Sequence, residues 1–411
     1  MSISSRVLNL TLELVIQDHC YQYYLKMNVS ENIAGPMVTK HEGKDQLKVE
    51  EVTTNTPKST DTMKIKWAPL NIPFERRKQT AAVCFFLCLA TCSFAITAYV
   101  LYYLLFHTVN GWIVTCLYAV WYAYDYNTPD SGGRRWNWMR NLSVWKAGGN
   151  YFPIQVVKTA ELDPKRNYIC GSHPHGLLCV GIANMCNTPN FSTEKMFPDI
   201  YFRLLTLREF YFLPGLREIM LGMGSSAATK ENLDSILGRM DNGVRPKGQA
   251  TVIVVGGARE VIRADITDRV VLVILKRKGF IKKALQYGAD LVPIFTFNET
   301  FLADPMFPDS DGKLIKILQE WFVGVTRWPL PYFMGRGIFQ YSFGILPKRL
   351  PLTVVVGKPI NVEEFGIPSG GCQPTQEQVD RVHEAYLKGL RALYDEYNPI
   401  YGRKDMPLVF S

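Results

Sequence analysis

Two histidines separated by a single proline are the residues of this chain best suited to chemistry. His173, Pro174 and His175 lie within residues 171–176 (Gly-Ser-His-Pro-His-Gly), which follow a predicted strand at Asn167–Cys170. Pro174 disfavours helical backbone at His173, so the segment should be extended, with both rings on one side. A neutral imidazole there could accept the proton of an attacking alcohol. Two clustered histidines favour catalysis over a purely structural turn.

A sharp turn is predicted at Gly176, between this strand and an apolar helix over Leu177–Met185. The first N–H groups of a helix lack internal partners, so those near Gly176 could hold a developing oxyanion. A zinc site is disfavoured because no third ligand has recognisable spacing, and no Gly-x-Ser-x-Gly elbow indicates a serine hydrolase. Cys170 and Cys179 could form an acyl thioester, but buried core cysteines explain them better.

A second corner carries an acid. Gly256 and Gly257 follow a predicted β-branched strand at Thr251–Val255, and Glu260 comes three residues later. Glu260 could orient a histidine from a neighbouring strand and stabilise its imidazolium, as the acid of a catalytic triad does. A solvated glutamate in a loop is an equally good reading of these residues alone.

Three consecutive cations, Lys276, Arg277 and Lys278, precede a predicted helix at Gly279–Tyr287. Such a cluster could bind the phosphates of a nucleotide-like carrier. A solvated or membrane-facing basic surface is the alternative.

The longest uncharged stretch runs over 26 residues from Ala81 to Phe106. As a helix it would be about 39 Å long, enough to cross a ~30 Å hydrocarbon core. A polar break follows, and then a shorter, aromatic-rich apolar run at Trp112–Tyr124. The sequence predicts either a tight membrane hairpin or one span with an interfacial segment. Cations flank both runs (Arg76, Arg77, Lys78, Arg134, Arg135 and Arg140), which favours a hairpin with both ends in the cytosol.

Beyond Asn127 the pattern becomes one of short, Val- and Ile-rich strands alternating with helices. Strands without polar alternation are buried on both faces, which indicates an α/β domain with a sheet core flanked by helices. The predicted organisation is a flexible tail at 1–66, a membrane hairpin with its lead-in at 67–125, and a catalytic domain at 126–411. Further strands are predicted at Val270–Leu275, Leu291–Phe297 and Leu352–Val356, and a charged helix at Thr375–Tyr397.

Composition narrows the function classes. The 411 residues carry a net charge of +9, which suits an anionic membrane or substrate. Nucleic acid is disfavoured because no nucleic-acid-binding signature is present. The nine cysteines form neither a CxxC pair nor a Cys/His cluster, so no disulfide framework and no metal site are predicted.

These motifs resemble those of the diacylglycerol acyltransferase type-2 family, which includes monoacylglycerol and wax-alcohol acyltransferases. The resemblance runs from Trp67 to the end of the chain. The matching segments, in order, are Trp67–Leu70 with Glu75–Arg77, Tyr151-Phe152-Pro153, His173-Pro174-His175-Gly176, Gly256-Gly257-Ala258-Arg259-Glu260, Arg277–Phe280, Gly288–Pro293, Arg336-Gly337 and Val356–Ile360.

The resemblance implies an acyl-CoA-dependent O-acyltransferase of the endoplasmic reticulum, often found at lipid droplets, that makes triacylglycerol or a related neutral lipid. Its partners would be acyl-CoA, an acylglycerol acceptor and membrane lipids, with homo-oligomerisation left open. No metal and no organic cofactor are expected, since acyl-CoA is a substrate. His175 would be the general base, supported by His173 and oriented by Glu260.

Two segments depart from the family pattern, the first in the geometry expected of its loop and the second in the acceptor that it favours. The family's Phe-Gly-Glu-Asn is Phe297-Asn298-Glu299-Thr300 here, and residues 337–344 look more like the monoacylglycerol branch. A wax-alcohol acyltransferase and a non-catalytic droplet protein are the alternatives. A phospholipid acyltransferase is disfavoured because Leu178 and Val180 stand where its His-x4-Asp motif needs an acid.

Overall fold

The structure is a computed structural model. It describes residues 65–190, 193–240, 246–262, 269–305, 333–366, 373–404 and 406–411, with Ile317, Trp321 and Gly324 between them. The predicted N-terminal tail therefore lies outside the described residues, apart from Ile65 and Lys66. The domain boundaries after residues 66 and 125 stay predictions.

Two helices open the described chain. Helix α1 (Phe74–His107) and helix α2 (Gly111–Asp125) are separated by three residues and pack against each other. A Cβ atom at Gly111 would lie 1.8 Å from the Leu104 carbonyl oxygen, so the close approach requires glycine. Among the described residues, α1 is the one helix long and apolar enough to cross a membrane. With 15 residues, α2 would span only about 22 Å. A membrane crossing stays a prediction.

The rest of the described chain is a mixed α/β domain. Two short helices follow α2, namely α3 (Asn137–Arg140) and α4 (Ser143–Tyr151). The remaining helices are α5 (Val180–Asn187), α6 (Thr193–Met196), α7 (Leu216–Gly222), α8 (Lys230–Gly238), α9 (Ala258–Ile262), α10 (Gly279–Tyr287) and α11 (Gln376–Tyr401). The strands are β1 (Ile154–Lys158), β2 (Tyr168–His173), β3 (Tyr201–Thr206), β4 (Ser226–Ala227), β5 (Gln249–Val254), β6 (Val270–Leu272), β7 (Asp290–Phe297), β8 (Asp304–Pro305), β9 (Phe333–Met334), β10 (Leu352–Val356) and β11 (Leu408–Phe410).

Seven strands form the central sheet in the order β1-β10-β7-β2-β5-β3-β4. All neighbours are parallel except β10 and β7. Every residue of β2 and β7 is buried, as the absence of polar alternation predicted. Helix α5 covers one face of the sheet, and α8, α10 and α11 cover the other. The predicted α/β class with a helix-flanked sheet is confirmed.

The structure also corrects several predicted elements. The strand predicted at Val270–Leu275 is shorter and lies outside the main sheet, because β6 pairs with β11 near the chain's end. Helix α5 begins at Val180 instead of Leu177, since 176–178 form a turn and Cys179 has a left-handed φ of 52°. Helix α11 begins one residue later than predicted, where the Thr375 side chain caps it, and extends to Tyr401.

Candidate active site

The two histidines lie at the carboxyl end of β2, in the middle of the sheet. His173 is the last residue of β2, and β5 and β7 flank that strand on either side. Residues 174–179 then cross over the edge of the sheet into α5. In parallel sheets the carboxyl ends of the strands are where ligands bind, so this is the expected place for a site.

His173 is fully buried, with 0% of its surface exposed. Its Nε2 lies 3.1 Å from the Tyr386 hydroxyl of α11, and that hydroxyl donates to the Gly171 carbonyl. Since the tyrosine proton is committed to the carbonyl, Nε2–H of His173 is the donor to the tyrosine oxygen. Burial lowers the pKa of His173 to about 3, so the ring is neutral. These contacts make His173 part of the core.

His175 is half-buried and has different partners. Its Nδ1 lies 2.9 Å from the Gly176 carbonyl oxygen. A carbonyl can only accept, so Nδ1 carries the proton and Nε2 keeps a lone pair. Burial lowers the pKa of His175 below its ordinary value, which favours the neutral base. Strand β2 ends at His173, so the extended backbone does not continue to His175. The two rings were expected on one side of an extended segment, but they have different partners.

Glu260 reaches the histidine segment through the main chain. Its Oε1 accepts from the His175 backbone N–H at 2.5 Å, and its Oε2 from the Val273 N–H at 3.0 Å. Glu260 was predicted to bond to the imidazole of His175. It bonds instead to the main chain of His175 and so holds the loop in place. Burial raises the pKa of Glu260 to about 7, against a smaller opposing effect of its hydrogen bonds and Arg277. A Cβ at Gly256 would lie 2.0 Å from the carboxylate, which explains the glycine.

A second buried acid, Glu299, caps α5. Its two oxygens accept from the N–H groups of Val180 (2.6 Å) and Gly181 (3.0 Å). The expectation that the first N–H groups of this helix are open to an oxyanion is therefore wrong. Among the described residues, the Gly176 N–H has no acceptor. Burial raises the pKa of Glu299 to about 7, and a Cβ at Gly176 would lie 2.5 Å from the Glu299 Cγ.

Sequence reasoning assigned no role to Glu299, although it noted the residue in an altered family motif. An acid just after the mainly apolar, fully buried strand β7 was the available signal. No signal in the sequence indicated Tyr386, which lies on the buried face of α11.

A small cleft begins beside Pro174. Its lining is mainly apolar and aromatic and comes from the end of β7, the residues after it and the end of α11. The apolar part consists of Val270, Phe295, Phe297, Phe301, Tyr394 and Met406, and the polar part includes Asn298, Thr300, Asn398 and Arg403.

The basic segment lies close to this site. It follows Val273, whose N–H binds Glu260. Lys278 pairs with Asp380 at 2.7 Å, whereas Lys276 and Arg277 are exposed and have no ion pair among the described residues.

The Tyr-Phe-Pro motif lies in a separate position, at the base of α1. Tyr151 and Phe152 are buried, and Pro153 is exposed at the start of β1. The Tyr151 hydroxyl donates to the Pro347 carbonyl at 2.6 Å and accepts from Arg336 Nε at 2.7 Å. The motif therefore makes no direct contact with the two imidazoles.

The nearby thiols are poor candidates for a covalent intermediate. Cys170 is fully buried, and Cys179 donates to the His175 carbonyl at 3.1 Å. Burial raises the pKa of both thiols well above the ordinary value, which disfavours the thiolate. Within the described part of the chain, no group of three or more His, Cys, Asp or Glu could hold a metal ion.

Comparison with known proteins shows which family the sequence resembles. Residues 103–411 match the sequence profile of the diacylglycerol acyltransferase family. The 2-acylglycerol O-acyltransferase 1 of Bos taurus is 38% identical over 346 residues, covering 83% of this chain and 97% of the relative. The diacylglycerol O-acyltransferase 2B of Umbelopsis ramanniana is 36% identical over 357 residues, covering 84% and 96%. The diacylglycerol O-acyltransferase 2 of Xenopus laevis is 39% identical over 297 residues, covering 72% and 78%.

Proposed function

The chain belongs to the diacylglycerol acyltransferase family, and from this we propose that it transfers a fatty acyl group from coenzyme A to the free hydroxyl of a mono- or diacylglycerol. The names of its relatives support both acceptors. The proposal places the reaction at His175 because of one observation. This half-buried ring donates its Nδ1–H to the Gly176 carbonyl, and its Nε2 lone pair has no partner among the described residues.

In the proposed reaction, His175 Nε2 takes the proton of the acceptor hydroxyl as that oxygen attacks the thioester carbonyl. The carbon–sulfur bond then breaks, and the imidazolium returns its proton to the departing thiolate of coenzyme A. The Gly176 N–H is the nearest candidate donor for the oxyanion. His173 and Pro174 hold the bend, and Glu260 fixes the His175 main chain. Acyl-CoA supplies an activated carbonyl, so the proposal needs no metal or organic cofactor.

The substrates would enter from different sides. The acyl chain would lie along the residues beside Pro174, since these give the small cleft a mainly apolar and aromatic lining. The exposed Lys276 and Arg277 suit the phosphates of coenzyme A. Helices α1 and α2 would form a hairpin in the membrane of the endoplasmic reticulum, with both chain ends in the cytosol. That placement would bring a soluble donor and a membrane-dissolved acceptor to one boundary, at the reticulum or at lipid droplets.

An acceptor assay tests the proposal. Membranes containing the full chain are given labelled acyl-CoA with monoacylglycerol, diacylglycerol or a long-chain alcohol, and the lipid products are separated. We expect labelled diacylglycerol or triacylglycerol with the parent and none with His175→Ala. Product from the alcohol alone would make this a wax-alcohol acyltransferase. Equal labelling in empty membranes and membranes with the parent would leave only a non-catalytic droplet role.

A further inference from the structure

Three arginines meet at the first turns of α1 without a carboxylate among them. Arg336 Nη2 and Arg349 Nη2 both donate to the Thr80 hydroxyl, each at 3.3 Å. Arg349 also donates to the Gln79 side chain (2.6 Å) and to the Arg76 carbonyl (3.2 Å). Among the described residues, every partner of Arg336 and Arg349 is thus a neutral group. We name Arg76, Arg336 and Arg349 the arginine cluster.

The cluster is unusual because two like charges, Arg336 and Arg349, are held together in a half-buried place, with the exposed Arg76 beside them. Arg336 and Arg349 lie over the same Tyr151 ring, with their guanidinium carbons 5.2 and 4.0 Å from its centroid. Burial, and then the charges of Arg336 and Arg76, lower the pKa of Arg349. The helix dipole adds positive potential at this end of α1, where no side chain caps Pro73. An anion with several acceptor oxygens would relieve this repulsion.

An exposed apolar rim borders the cluster. The lead-in to α1 pairs with the loop that follows Arg336 through an Ala68 N–H bond to the Phe339 carbonyl and a Tyr341 N–H bond to the Lys66 carbonyl, both 2.8 Å. We call the two segments, 65–74 and 336–345, the apolar rim. Its large exposed side chains are Ile65, Trp67, Leu70, Phe74, Ile338, Phe339, Phe343 and Ile345, with Leu70 98% and Ile345 83% exposed.

Exposed aromatic and aliphatic side chains beside arginines are typical of segments that insert into a membrane interface. The rim is continuous with α1, which begins at Phe74. We therefore propose that the apolar rim enters the lipid headgroup layer and that the arginine cluster binds the phosphate of a membrane phospholipid there. This inference rests on the proposed placement of α1 in a membrane. It does not depend on the catalytic role of His175.

Binding can be measured without turnover. The full chain in a nonionic detergent is titrated with phosphatidylglycerol carrying brominated acyl chains, which quench nearby tryptophan. Trp67 lies in the rim, and comparison with Trp67→Phe separates its quenching from that of the exposed tryptophans of α2. Brominated diacylglycerol, which lacks the phosphate, serves as the second probe, and free coenzyme A as a competitor.

Arg76→Gln is the most informative variant. Its side chain makes no hydrogen bond among the described residues, so its removal should not disturb folding, unlike Arg349→Gln. Loss of one charge-assisted contact should weaken phosphatidylglycerol binding about tenfold. Arg381→Gln, which removes an exposed charge from α11, is the matched control and should bind like the parent, as should His175→Ala.

Two results would overturn the proposal. One is equal phosphatidylglycerol affinity in the parent, Arg76→Gln and Arg349→Gln. The other is displacement of the phospholipid by free coenzyme A, which would assign the cluster to the acyl donor. An inactive parent that binds phosphatidylglycerol as expected would instead count against the proposed function alone.

Discussion

The two imidazoles of the bend should respond to substitution in opposite ways. His175 is half-buried, and among the described residues its ring bonds only to the adjacent Gly176 carbonyl, so His175→Ala removes little that holds the fold together. General-base catalysis contributes about 10²–10⁴-fold, or roughly 3–5 kcal/mol of barrier. We therefore expect His175→Ala to lower kcat by that factor with little change in Tm.

His173→Ala should instead destabilise the protein. It removes a fully buried ring and leaves the Tyr386 hydroxyl without its donor. Truncation of a large buried side chain costs on the order of 3 kcal/mol, which lowers Tm by roughly 5–10 °C in a domain of this size. Tyr386→Phe is the matched control, because it breaks the same hydrogen bond without touching His175.

The assay is acyl transfer from labelled acyl-CoA by purified full-length variants, with Tm measured by intrinsic fluorescence in the same detergent. The pH dependence of kcat/KM adds a separate readout. Since burial lowers the pKa of His175, the acidic limb should have its midpoint below 6.5. The reasoning is refuted if His175→Ala keeps kcat within threefold of the parent. It also fails if His173→Ala abolishes kcat at unchanged Tm.

Three further predictions concern the surroundings of the bend. Burial raises the pKa of Glu299 in the folded state from 4.5 to about 7, so the free energy of unfolding of the parent should fall by about 3 kcal/mol as pH rises through that range. The Tm of the parent should therefore fall more between pH 5 and 8 than the Tm of Glu299→Gln. Parallel curves of Tm against pH would contradict this. Gly176→Ala should lower both Tm and activity, because φ is 56° and the new Cβ would overlap Glu299; a Tm within 1 °C of the parent would refute the overlap. Glu substitution at Lys276 and Arg277 should raise KM for acyl-CoA more than it lowers kcat, which titration of the donor measures; an unchanged KM would remove the segment from the donor site.

Local sequence patterns predicted the sheet well. The apolar strands β7 and β10 and the helices α1, α10 and α11 lie where hydrophobic runs and capping residues indicated. These features depend on residues close together in the chain. The strand predicted at Val270–Leu275 was longer than β6, because the length of β6 is set by its pairing with β11. That partner lies more than 130 residues away and leaves no local pattern in the sequence.

The structure brings the predicted residues His175 and Glu260 together, but through a main-chain contact that the sequence did not predict. The glycines and histidines of the bend indicated a catalytic corner from spacing alone. Which atom of His175 bonds to Glu260 depends on the register in which β2 and β5 pair, and no local sequence pattern determines that register. The capping by Glu299 likewise comes from the strand on the other side of β2.

The position of the bend follows from how α1 is attached to the domain. Val83 of α1, Tyr151 and Phe152 of the Tyr-Phe-Pro motif, and Val180 at the start of α5 belong to one buried cluster. Glu299 fixes the same end of α5 by accepting from the Val180 N–H. A displacement of α1 would therefore be transmitted through packed side chains to the loop that carries His175. Because interiors deform little, the Tyr-Phe-Pro motif couples the position of α1 to the loop that carries His175.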